Sequence, residues 1–210
     1  YRDGSRSGVL ISNNEKKNEN GYGLVLDEKY FKRPKVLNAE IIRFNNNDEK
    51  WIAFVGLKDG RPYEIFTGIA DEEMFPIPKS ITKGQIIKNR DENGISRYDF
   101  QYTDKYGYKN TLGGLSHMFD KEFWNYAKLI SSVLRHGMPI ADVVRLVGSL
   151  RLDSDNINTW KNGVERTLKR YIPDGTKLKK GGKCQACGSD SLIYQEGCLL
   201  CTNCGSSKCG

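Results

Sequence analysis

The sequence predicts an α+β protein: an antiparallel sheet with a helical half packed on it, followed by a small C-terminal zinc-ribbon-like cysteine module. Three observations carry this reading. Apolar and polar residues alternate from about Lys32 to Thr67, the period of half-buried strands. After Gly113-Gly114 the period changes to three and four, that of helices. All six cysteines lie between Cys184 and Cys209. A run of strands followed by a run of helices is the pattern of helices stacked on one antiparallel sheet.

Val36–Phe44 alternates as a first strand, and the Asn- and Asp-rich Asn45–Glu49 turns the chain. Lys50–Leu57 returns as a second strand, with Trp51, Ala53 and Val55 on one side and Ile52 and Phe54 on the other. Lys58-Asp59-Gly60 is a hairpin turn, because Asp-Gly adopts positive φ at little cost. Arg61–Thr67 is the third strand. Pro76 and Pro78 interrupt the pattern. Gln85–Lys88 and Arg97–Gln101 then form a hairpin around Asp91-Glu92-Asn93-Gly94.

Lys121–His136 places Phe123, Tyr126, Ala127, Ile130, Val133 and Leu134 on one apolar helical face, with Asp120 as N-cap and Gly137 closing the C-terminus. Pro139 starts a second helix, Ile140–Ser149. Asp155 or Asn156 caps a third, Ile157–Tyr171, with Trp160, Val164 and Leu168 facing inward. Four segments follow: 1–30, the end of a preceding domain and a linker; 31–172, the α+β domain; 173–183, a flexible basic linker; and 184–210, the cysteine tail.

Composition narrows the function. Hydrophobic residues are 38% and charged residues 28%, as in a folded soluble chain. There is no apolar run of membrane-spanning length and no signal-peptide pattern, and a chain starting at Tyr1 is expected to be a piece of a longer one. The net charge is +7 and the pI about 9.0. Much of the excess is local, in Arg166, Lys169, Arg170, Lys177, Lys179, Lys180 and Lys183, and reads as a solvated basic stretch.

A secreted disulfide scaffold spreads its cysteines through the fold. Here the first 183 residues have none, which points to a reducing, cytoplasmic compartment and thiols gathered for a task. Cys184-Gln185-Ala186-Cys187-Gly188 and Cys201-Thr202-Asn203-Cys204-Gly205 are two CxxCG knuckles separated by thirteen residues. Two residues between cysteines let both sulfurs address one metal, and the following Gly lets the backbone turn away. Ser191–Tyr194 supplies a strand between them. Zinc takes four ligands, so two of the six cysteines are left over. Cys198, in the run CLLCTNC, can also replace either neighbour as a ligand. Cys209 is a thiol near the chain end, with Lys208 beside it to stabilise a thiolate.

Other candidates carry less. His117 and His136 read as helix-end or loop residues, and Asp71-Glu72-Glu73 as a solvated loop. Trp51, Phe54, Tyr63 and Phe66 read as core beneath the helices rather than a base-stacking face.

The tail resembles the C-terminus of adenosylcobalamin-dependent ribonucleotide reductases. The matching residues are Cys184-x-x-Cys187-Gly188, then Glu196-Gly197-Cys198-x-x-Cys201-x-x-Cys204-Gly205, then Ser207-Lys208-Cys209-Gly210. Upstream, Tyr1-Arg2-Asp3-Gly4-Ser5-Arg6 resembles the segment that closes that family's catalytic barrel. Arg33-Pro34-Lys35-Val36-Leu37 and Asp59-Gly60-Arg61-Pro62-Tyr63-Glu64-Ile65-Phe66 resemble the α+β domain after it, and Leu129-Ile130-Ser131 with Leu134-Arg135 its helical half. One departure is Pro76–Leu115, where the family usually has a shorter link.

The resemblance implies a parent enzyme, a ribonucleoside-diphosphate reductase, that makes deoxyribonucleotides for DNA synthesis by radical chemistry with adenosylcobalamin. It implies that tail cysteines reduce a disulfide in the barrel of the same or a neighbouring chain and are re-reduced by thioredoxin or glutaredoxin. On that reading Cys184, Cys187, Cys201 and Cys204 bind zinc, Cys198 and Cys209 are the exchanging pair, and the linker is a swinging arm. Nucleotide substrate is met only through the parent; with no cysteine before Cys184, the fragment should be inactive alone. Competing readings are a zinc-ribbon nucleic-acid-binding module, favoured by the basic pI, and a structural docking module.

Overall fold

The computed structural model describes residues 32–70, 73, 76–152, 159–178 and 182–209. The chain divides into two units, Tyr1–Lys32 and Arg33–Gly210. The elements described below lie in the second; the segment Tyr1–Arg6 and the residues Asp71, Glu72, Asp155 and Asn156 lie outside the described residues.

Six strands form one antiparallel sheet in the order β3-β2-β1-β4-β5-β6. They are β1 Val36–Asn46, β2 Glu49–Lys58, β3 Arg61–Ile69, β4 Lys83–Arg90, β5 Ser96–Thr103 and β6 Lys109–Leu112. Two-residue turns join the first three. Asn47 has φ 52°, and Asp59 and Gly60 have φ 53° and 76°, the left-handed turn chemistry that matches strand twist. β4, β5 and β6 occupy the stretch where the resemblance expects a short link. Their loops repeat one device. Asp91 Oδ1 accepts from the amides of Asn93 and Ile95, and Asp104 Oδ1 accepts from those of Tyr106 and Tyr108. The sequence reading has no β6, because four polar-rich residues, Lys109–Leu112, show little alternation.

The sheet curls strongly. β3 and β5 are separated by three strands, which in a flat sheet would hold them about 19 Å apart. Yet the rings of Phe66 on β3 and Tyr98 on β5 lie 5.0 Å apart. The concave side holds Ile52, Phe54, Phe66, Ile86, Phe100, Leu115 and Phe119. Gly84 permits the curl, because a Cβ there would fall 2.4 Å from the Phe100 ring.

The helices α1 Leu115–Met118, α2 Lys121–Arg135, α3 Ile140–Gly148 and α4 Trp160–Lys169 follow. Trp51, Ala53, Val55 and Ile65 pack against Ala127, Ile130, Leu134, Val143, Val147, Trp160, Val164 and Leu168. β2 is therefore apolar on both faces because both are covered. Trp51 does lie beneath the helices, but Phe54 and Phe66 belong to the concave side, so the single core predicted for these aromatics is in fact two. Tyr63 is buried too, with the Arg135 guanidinium 5.4 Å from its ring centre.

Asp120 caps α2 as predicted, its side chain accepting from the amides of Glu122 and Phe123, and Gly137 follows with φ 76°. α2 also covers the sheet edge: the Ser131 hydroxyl accepts from the Ile65 amide at 3.0 Å. α4 begins later than its periodicity predicts. Thr159 is extended, with φ −109° and ψ 161°, and its hydroxyl accepts from the Asn162 amide, so Thr159 is the N-cap in place of Asp155 or Asn156. The Trp160 indole then donates to Thr67 Oγ1 at 2.9 Å in the core. His136 ends α2 and His117 lies on α1, as expected of helix-end residues. Among the described residues no helix is long and apolar enough to cross a membrane.

Candidate metal centre and disulfide

The tail forms a second antiparallel sheet, β7 Leu192–Gln195, β8 Cys198–Cys201 and β9 Ser207–Lys208. Glu196 and Gly197, with φ 50° and 78°, turn β7 into β8. The two knuckles share one backbone pattern. The Cys184 amide donates to Ser189 O and the Gly188 amide to Cys184 O; the Cys201 amide donates to Ser206 O and the Gly205 amide to Cys201 O. Gly188 and Gly205 have φ 73° and 75°, the left-handed conformation their position predicts.

These turns bring four sulfurs together. Cys184 and Cys204 Sγ lie 3.6 Å apart, Cys187 and Cys201 Sγ 3.7 Å apart, and all four within 4.8 Å of one another. Zinc–thiolate bonds of about 2.3 Å in a tetrahedron place sulfurs about 3.8 Å apart, so the quartet fits such an ion. Cys184 and Cys201 are buried with Leu192 and Leu178, while Cys187 and Cys204 face outward. Amide donors favour thiolate here. The amides of Cys187 and Ala186 lower the Cys184 thiol, and the Ser189 amide with the Asn203 side chain brings Cys187 down to about 6. The Ser206 amide acts on Cys204 in the same sense but is outweighed. Cys187, desolvation and the two remaining sulfurs push Cys204 up to about 12. Four thiols crowded this closely disfavour one another's ionisation, and a cation among them would relieve that repulsion.

Cys198 and Cys209 stand apart from the quartet and are joined by a disulfide. Leu199 pairs with Lys208 in the β8–β9 ladder, so the next residues outward, Cys198 and Cys209, face each other, with Cα atoms 4.4 Å apart. Cys198 is half-buried and Cys209 exposed. Lys208 Nζ donates to Gln185 Oε1 at 3.4 Å, tying β9 to the first knuckle.

Sequence reasoning missed how the module is held. Residues 174–178, expected in a free linker, run along β7. The Gly175 amide donates to Tyr194 O, the Tyr194 amide to Thr176 O and the Leu178 amide to Leu192 O; Lys177 bridges Ile193. The Glu196 amide donates to Asp174 Oδ1. Tyr194 is buried in the helix-side core and Leu199 packs against it. The signal was there in part: Tyr194 and Leu199 are apolar residues that no metal site requires.

Fold and site together define an α+β domain closed by a docked cysteine module, with a metal-compatible thiol quartet and a separate disulfide. The family is more particular: the chain belongs to the NrdJ homologue C-terminal domain family, whose pattern matches residues 37–173. It is thereby related to NrdJ, the cobalamin-dependent ribonucleotide reductase. The matched span includes the six strands described for the large sheet, except Val36, and the four described helices, and stops before the cysteines. Neither the curated proteins nor the solved structures gave a match.

Proposed function

We propose that this chain is the C-terminal part of a cobalamin-dependent ribonucleotide reductase and that its tail relays electrons from a thioredoxin-type dithiol to a disulfide in the parent's catalytic barrel. The observation that carries the reading is the separation of the six cysteines into a clustered quartet and an accessible disulfide. The family supports the lineage, and the relay is inferred from the tail.

The step balances as two successive exchanges. A donor thiolate attacks Cys209 Sγ, the exposed sulfur, forming a mixed disulfide and releasing Cys198 as thiolate. The donor's second thiol attacks the mixed disulfide, leaves as donor disulfide and frees Cys209. The resulting dithiol carries two electrons. It reduces the barrel disulfide by the same chemistry and closes again as Cys198–Cys209. A dithiol donor resolves its own mixed disulfide, whereas a monothiol needs a second equivalent to do so.

Cys184, Cys187, Cys201 and Cys204 would hold zinc, which when bound supplies structure by neutralising four thiolates. The quartet then keeps β8 in place, so that Cys198 is presented on a fixed strand. The moving part is then residues 205–209, beyond the last quartet cysteine, whose β9 strand would part from β8 once the Cys198–Cys209 bond opens, since residues 174–178 are held on β7. Five residues from Cys204 to Cys209 can extend about 17 Å.

The test counts zinc and fast-reacting thiols on the purified chain, before and after thioredoxin with its reductase and reduced nicotinamide cofactor. One zinc and two thiols that appear only with thioredoxin support the relay. One zinc with no thioredoxin-responsive thiols removes it and leaves a docking or nucleic-acid-binding module.

A further inference from the structure

Between α2 and the β3–β5 part of the sheet lies a cleft of about 490 Å³, within the size range of small-molecule sites. Its chemistry is of two kinds. Lys88, Lys128 and Arg135 supply positive charge, and among the described residues no acidic side chain lines it. Phe66, Tyr98 and Trp124 supply aromatic surface. Phe66 stacks on Trp124 at 5.1 Å, and Tyr98 sits 6.0 Å from Trp124, so the three rings form one wall. Trp124 and Tyr98 are only half-buried, and part of each ring faces the cleft.

The charge behind this wall is unbalanced. Glu64 is buried and faces two guanidinium groups, Arg33 and Arg135, leaving one positive charge in excess. Lys88 adds a second and Lys128, exposed at the rim, a third. Burial, then Arg33 and Arg135, hold the Lys88 ammonium below the usual lysine range, as a positive surrounding field requires. Arg135 gives one nitrogen to Glu64, and its side chain also lines the cleft, so its positive charge is shared with that wall.

We propose that this cleft binds a small phosphate ester of a planar aromatic group, such as a nucleoside monophosphate. The phosphate would meet Lys88, Lys128 and the Arg135 guanidinium, cations with which a charged acceptor makes the strongest hydrogen bonds. The planar group would lie against Trp124 and Tyr98, which stack any flat ring regardless of its edge chemistry. No cysteine lines the cleft, and the site rests on no part of the redox reading.

Calorimetric titration of the zinc-loaded 210-residue chain with adenosine 5′-monophosphate, adenosine and inorganic phosphate tests this. The nucleotide should bind at least about tenfold more tightly than either part alone, since charge and stacking act together. Lys88→Gln and Lys128→Gln should each weaken it roughly three- to tenfold, and the affinity should fall as salt rises. Trp124→Leu should weaken the nucleotide but leave phosphate unchanged. Each variant's melting temperature separates lost binding from lost fold. Equal affinity for nucleotide and phosphate would reduce the site to a general anion patch and overturn the proposal. Absence of binding at about 10 mM nucleotide, weaker than any useful affinity, would overturn it as well.

Discussion

Arg33 closes on Glu64 with two parallel hydrogen bonds, Nη2 to Oε1 at 2.5 Å and Nε to Oε2 at 2.8 Å, and neither side chain has more than 4% of its surface exposed. Arg135 reaches the same carboxylate at 2.9 Å from the end of α2. Gly56 on β2 makes room for it, because a Cβ there would fall 2.7 Å from Glu64 Cγ. Glu64→Gln leaves Arg33 buried without a counter-charge and should cost about 3–5 kcal/mol, visible in urea denaturation. Arg135→Met should cost less, since Arg33 still neutralises the carboxylate. An equal cost for both would show that the pair is not the buried centre.

Asp99 gives the domain an acid-sensitive joint. Burial raises its carboxyl, but the Gly114 amide, Arg97 and Asn89 outweigh that and hold it below the usual aspartate range. A folded value below the unfolded one adds stability that is complete above the unfolded value, about 3.9, and is lost as pH falls through the lower folded value. Asp99→Asn should destabilise by about 1–3 kcal/mol at pH 7. The gap between the variant and the parent should narrow below pH 4. A gap constant with pH would mean that charge is not what Asp99 contributes.

Gly163 is in α4, where alanine would normally be favoured by about 1 kcal/mol. Its Cβ would fall 2.1 Å from the Phe44 ring. Gly163→Ala should therefore lose stability, by about 1–3 kcal/mol. Phe44→Leu in the same chain should recover part of it. A stabilised single variant would show that α4 can shift away from β1.

The two cysteine groups should separate under mutation. Cys198→Ser and Cys209→Ser should each keep one zinc and lose all thioredoxin-dependent thiols. Cys184→Ser should lose zinc affinity and the order of the tail, while the α+β domain keeps its own cooperative unfolding, measured by circular dichroism. Loss of zinc in Cys198→Ser would place Cys198 among the ligands.

Much of this architecture was legible because it is local. β1, β2 and β3 follow from alternation and an Asp-Gly turn, and α2 from its periodicity with Asp120 and Gly137 at its ends. Less was legible where the pattern is weak or the partner distant. β6 is short and polar, and its loop announced itself only as a second Asp-x-x-Gly. The N-terminus of α4 moved to Thr159 because Trp160 is fixed from elsewhere, by Thr67 and by Asn46, whose Oδ1 accepts from its amide. The segment after Pro173 looks like free linker in composition, yet its amides and carbonyls find β7.

The cysteine spacing by itself determined that two knuckles could share a metal, since two intervening residues and a glycine set that geometry within each turn. It could not choose the four ligands from six, because Cys198 lies three residues from Cys201 and competes with it on spacing alone. The tertiary structure groups the sulfurs four and two: the β8–β9 register sets Cys198 opposite Cys209, and Cys201 lies buried with the quartet. In the same way the sequence held Arg33, Glu64 and Arg135 in three separate segments. Only the curl of the sheet and the lie of α2 brought them to one buried carboxylate, because charge pairing at that range depends on strand order, which residue spacing does not encode.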